Sequence, residues 1–114
     1  MANTFKNKTS KGVGTSLTQI GSYAVAADTQ TTVIGLSVSN VTSSSVDVDV
    51  QLSSNAGSAT NDIRIVKGVP VPSGSTVVLI GGDQKLVMET GNLLKVKSSA
   101  ASSLDVVMSI LEIT

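Results

Sequence analysis

VPVPSGSTVVLIGGDQKLVMETGNLLKV, residues 69–96, decides the fold. A Pro-Ser-Gly turn at 72–74, a Gly-Gly-Asp turn at 81–83 and a Thr-Gly-Asn turn at 90–92 divide it into short apolar runs. Runs of this length between turn residues are strands, and the punctuation is that of a β-sandwich. Leu86, Val87, Leu93 and Leu94 would also fit one helical face, but Gly91 and the β-branched neighbours argue against it. Pro70 and Pro72 lack an amide donor, so they belong to an edge or a connection and not to mid-sheet. The runs between the turns are expected to be core.

The flanks carry the same signal. In 31–41, Ile34, Leu36 and Val38 alternate with Gly35, Ser37 and Ser39, the period of a half-buried strand. Val46, Val48, Val50 and Leu52 alternate with Asp47, Asp49 and Gln51, which puts both aspartates on the solvent face, about 7 Å apart. Residues 53–61, small and polar, are expected to be a loop. Ile63 and Ile65 open a further strand that Gly68 is expected to end. Residues 16–27 favour strand, then a turn at 26–29. The last segment, 104–114, fits both periods. Its Val and Ile content and a phase switch at Leu111 favour a strand with a bulge. The sum is an all-β, about eight-stranded antiparallel β-sandwich, jelly-roll or Ig-like, with an extended N-terminal arm. The alternation leaves the strand order open.

Composition agrees. Val, Ile and Thr supply 36 of 114 residues, and their branched β-carbons suit a pleated sheet. Aromatics are 2%, so the core is aliphatic, with Phe5 and Tyr23 the only rings. Charged residues are 14% and the formal charge is zero, against a usual charged share of about 25%. A neutral β-protein with so few charges is suited to a surface that other chains cover. The alternative is a monomer solvated by its 18 Ser and 12 Thr. Polar early residues without an apolar run point to synthesis and folding in a cytoplasm, with no membrane partner.

Residues 1–15 stand apart from the sandwich expected over 16–114. They hold Lys6, Lys8 and Lys11 and no acid, whereas the other 99 residues hold five bases and eight acids. A basic, glycine-containing segment reads as a flexible arm that is either loose or docked on an acidic surface, with Phe5 as its apolar anchor. Three lysines without interleaved aromatics are a poor nucleic-acid signal.

Little chemistry is on offer. Without His or Cys the chain lacks the commonest general base and metal ligand and has no thiolate nucleophile. Asp47 and Asp49 are a thin cation signal, because a hard cation wants several converging oxygens. Gly12-x-Gly14 and Gly81-Gly82 precede no helix that could hold a phosphate. No catalytic, metal or cofactor site is expected. The residues expected to touch other chains are Phe5, Lys6, Lys8, Lys11, Asn55, Pro70 and Pro72.

GVGTSLTQIGSYAVAADTQTTVIGLSVSN at 12–40, VKGVPVPSGSTVVLIGGDQKLVMETGNLLKV at 66–96 and SLDVVMSILEI at 103–113 resemble small virion structural proteins of tailed phages, of the marine and cyanobacterial type. The resemblance spans nearly the whole chain from Gly12 and rests on turn signals. It implies a non-enzymatic β-sandwich that decorates the outside of a capsid, or alternatively a neck, tail or baseplate part or a receptor- or glycan-binding module. It also implies a place in the virion after assembly in the host cytoplasm. The implied partners are the major capsid protein, or neck and tail proteins, and further copies of the chain.

Overall fold

The computed structural model describes residues 3–54, 62–81 and 83–114. Among them run nine strands: β1 (Asn3–Val13), β2 (Thr18–Gln19), β3 (Gln30–Asn40), β4 (Val46–Ser54), β5 (Ile63–Val71), β6 (Thr76–Ile80), β7 (Leu86–Met88), β8 (Asn92–Ser98) and β9 (Leu104–Ile113). They form two antiparallel sheets. Sheet A has the order β1-β9-β3-β6, with β7 also on β3; sheet B has the order β2-β8-β4-β5. With β7 treated as an insertion, the eight remaining strands in chain order lie 1-8-3-6 over 2-7-4-5. That is the jelly-roll arrangement, so the Ig-like alternative falls away.

Between the sheets lies an aliphatic core. Val33, Leu36 and Val38 of β3 and Leu104, Met108 and Ile110 of β9 meet Val48 and Val50 of β4 and Leu94 and Val96 of β8, all at most 1% exposed. Burying a side chain of this size contributes about 1.5–3 kcal/mol. Sheet A's strands are tied by their ends: β9, the last strand, lies between β1 and β3.

Several local expectations change. Asn3–Val13 is not a free arm but β1, an edge strand paired along β9 from Asn3↔Ile113 to Val13↔Leu104. The phase of β9 holds, with Leu104, Val106, Met108 and Ile110 all buried. The irregularities fall on its partners, between Ser10 and Val13 of β1 and between Val33 and Gly35 of β3. The second puts Val33 in the core where alternation favoured Ile34. Gly68 does not end its strand. It takes φ +69 within β5 and marks a bulge between Val66↔Val50 and Val69↔Val48, where a glycine adopts the left-handed region without a Cβ clash. Residues 16–27 give only the two-residue β2 and a 3-10 turn at Ile20–Ser22. Gln51, expected on the solvent face, is buried, and its amide donates to Ser53 Oγ at 3.1 Å.

Candidate functional site

The register assigns each side chain of sheet A to a face. Ile110, Met108 and Val106 point into the sandwich, so Leu111, Ser109 and Val107 point out, together with their cross-strand partners. One outward row is Phe5–Leu111–Thr32–Val87, and another is Thr9–Val107–Ser37–Val78. On β1 the rows are four residues apart, about 13 Å along the strand. Neither row holds a charge. Phe5 is 73% exposed, Val78 67%, Val87 61% and Val107 41%. Between the rows, Phe5, Asn7, Ser109 and the half-buried Ile34 line an open depression of about 330 Å³. At one end a second depression, about 280 Å³, has Thr9, Lys11, Ser39, Asp105 and Val107 in its wall. Asp105 Oδ1 there accepts a hydrogen bond from the Gly12 amide at 2.9 Å.

Sheet B presents a different outer face. Asp49 lies opposite Lys97, and Gln51 lies between Lys95 and Arg64. Asp49 accepts the Gly68 amide at 2.7 Å and has the Arg64 guanidinium at 3.6 Å. Asp47, Asp49, Lys67 and Lys97 share one depression. The two carboxylates therefore have cations and a backbone donor around them, not the converging oxygens a divalent ion needs. Among the described residues no three metal-capable side chains gather.

The inner side of β1 carries a polar cluster. Glu112 receives a 2.8 Å ion pair from Lys6 Nζ and a 2.7 Å hydrogen bond from the Tyr23 hydroxyl. The tyrosine's single proton is thereby used, so Thr31 donates to the phenol oxygen, at 2.7 Å. Lys8 Nζ stands 5.5 Å from the centre of the Tyr23 ring, within cation–π range. Lys6 first, then Tyr23, hold the Glu112 carboxyl below its ordinary value, against the upward push of burial. Burial is the main cause that pushes Tyr23 up to about 12; the bond from Thr31 lowers it, and Glu112 raises it further. The 3-10 turn fixes this arrangement. Gly21 has φ +58, and a Cβ there would sit 2.7 Å from Lys8 Cβ and 3.1 Å from the Thr9 amide. Only a glycine lets β1 lie so close. Its amide donates to Ser10 Oγ at 3.0 Å.

The residues expected to touch partners are thus distributed, not gathered. Phe5 is on the outer face of sheet A. Lys6 and Lys8 turn inward to the chain's own Glu112 and Tyr23. Lys11 lies in the bulge next to Asp105. Pro70 lies on the edge strand β5 opposite Asp47, and Pro72 accepts the Ser75 amide in the turn after it. Asn55 lies outside the described residues. Val78 and Val87, in runs expected to be core, are exposed instead, because β6 and β7 lie against β3 at the margin of sheet A with one face uncovered. The only trace of this in the sequence is the lack of polar alternation in these runs, which reads equally well as burial.

No helix among the described residues is long and apolar enough to cross a membrane. No protein-family model matches the chain, and no curated protein matches it in sequence. In structure it is similar to a chain of the T13 infectious bursal disease virus particle, at 11% identity with a TM-score of 0.50, over 96% of this chain and 30% of that one. It is also similar to a chain of the Bacillus endospore appendages, described as disulfide-linked pili, at 13% identity with a TM-score of 0.49, over 99% of this chain and 87% of that one. The chain spans less than a third of the length of that virus chain. At 11% identity the likeness to the virus chain concerns the fold alone.

Proposed function

We propose that this chain is a non-enzymatic structural subunit of a virion, of the tailed-phage type, which docks on the outside of a capsid shell through the outer face of sheet A. One observation carries the reading: two outward rows without a charge, with Phe5, Val78, Val87 and Val107 exposed. A face of this kind loses little on desolvation and gains from apolar burial, whereas the charged face of sheet B resists both. Serine and threonine between the apolar residues supply hydrogen bonds at the rim of such a contact. Many copies on a lattice bind with avidity, so each contact can be weak. Phe5 is the anchor, and Lys11 and Asp105 mark the polar end of the contact. Pro70 and Pro72, on the other sheet's edge and the crossing that follows, serve a neighbouring copy.

Electron cryomicroscopy of intact particles tests this. The expected result is density for the chain on the outer shell, with the Phe5 row facing the capsid protein. Copies confined to the neck, tail or baseplate would exclude the decoration role and favour the other structural one. Selective retention on a glycan array would favour a receptor module.

A further inference from the structure

We propose that β1 is an exchangeable strand: when copies are concentrated, β1 of one copy leaves its own sheet and lies along β9 of a second copy. This goes beyond the virion reading and does not depend on it.

The strand contributes little to the core it borders. Of its eleven residues only Val13, the last, is buried. What holds the rest is the backbone ladder to β9 and four polar contacts: Lys6 with Glu112, Lys8 over Tyr23, Ser10 with the Gly21 amide, and the Gly12 amide with Asp105. Such a segment opens at a lower free energy than the core strands, because its release uncovers little apolar surface.

The vacated place is specific for this same strand. The first 15 residues carry three lysines and no acid, and the rest of the chain carries three more acids than bases. Glu112, at the far end of the β9 edge, is the acid that takes Lys6. The missing Cβ of Gly21 fits the backbone at Lys8 and Thr9. A β1 from a second copy brings the same charges, the same register and the same fit.

The connection permits the exchange. Residues 14–17 lead from sheet A to sheet B, and none of their side chains is buried. Each contact of β1 is remade with the second copy, including Val13 in its core site. The exchange then costs mainly the entropy of association, which a high local concentration offsets. A short connection of this kind favours sharing between copies over reorganisation within one.

The test uses the native chain. Protein made with light isotopes and protein made with heavy isotopes are mixed, refolded together at high concentration, and treated with a zero-length carbodiimide, which joins Lys6 to Glu112 where they pair. A Glu112→Gln chain, which cannot form that link, identifies it. With reciprocal exchange, about half of the Lys6–Glu112 links join light to heavy chains, and sizing shows dimers or larger species. At high dilution the mixed links fall several-fold. Links that stay within one isotope overturn the proposal: in a monomeric sample β1 stays at home, and in a dimeric one the copies meet through another surface.

Discussion

The outer faces of the two sheets come from similar strands and have opposite surfaces. Sheet A's face has Phe5, Leu111 and Val87 in one row and Val107 and Val78 in another, separated by Thr, Ser and Asn. Sheet B's face has Asp49 opposite Lys97, and Lys95 and Arg64 on either side of Gln51. Both sheets turn aliphatic side chains into the shared core, so the difference between their outer faces is not required by core packing. A solvated face gains from charges that keep copies apart and sheet edges unpaired. A face meant to be covered gains from their absence. The asymmetry is the reason for proposing sheet A, and not sheet B, as the docking face.

The largest expected effect comes from breaking that asymmetry. Val78→Asp with Val107→Asp puts two charges on the uncharged face, and binding to the shell should fall by at least about 100-fold while the circular dichroism spectrum is kept. Lys95→Gln with Lys97→Gln, on the face of sheet B, should leave occupancy on particles within about twofold. If the second pair releases the protein and the first does not, the two faces have been assigned the wrong way round.

Gly21→Ala sharpens the comparison at the edge of sheet A. The new Cβ forces β1 off the 3-10 turn and adds a positive-φ penalty. A loss of about 2 kcal/mol is expected, seen as a melting temperature lower by about 8 °C for a domain of this size. An unchanged melting temperature would show that β1 is not held against the turn.

Tyr23→Phe removes the hydroxyl that joins Thr31 to Glu112, and should cost about 1–2 kcal/mol in a denaturant titration. The same cluster sets a modest pH dependence. Glu112 is held below its unfolded value, so its contribution is present above the ordinary carboxylate range and is lost as pH falls through the lowered value. Tyr23 is raised from 10.0 to about 12, so its contribution is present below pH 10 and is lost as pH rises towards 12. Melting curves across pH should show both limbs. Glu112→Gln should flatten the acid limb, and Tyr23→Phe the alkaline one. An acid limb of unchanged slope in Glu112→Gln assigns it to other carboxylates.

Much of the fold is legible without coordinates, for a physical reason. Val46, Val48 and Val50 alternate with Asp47 and Asp49, and a strand of period 2 has one solution for such a pattern: valines in, aspartates out. Pro70 on an edge follows from its missing donor. The candidate site was less legible. Phe5 stands out as an apolar residue in a polar segment, but Val78 and Val87 belong to unbroken apolar runs. An unbroken run fits a strand buried on both faces as well as one with an uncovered face. Lys6 and Lys8 looked free because their partners, Glu112 and Tyr23, are distant in sequence.

Residue type and spacing alone determine an all-β sandwich with an aliphatic core, a basic segment ahead of an acidic body, and a chain without His or Cys. These follow from local rules, in which each residue is judged by its own chemistry and its near neighbours. The strand order, the place of β1 along β9 and the faces of Val78, Val87 and Val107 depend on pairing between segments up to about a hundred residues apart. Pairing of that range is set by the packing of the whole core and by single close approaches, such as Gly21 against β1. Only the tertiary structure decides which of two similar sheets carries charges on its outer face and which carries uncharged rows.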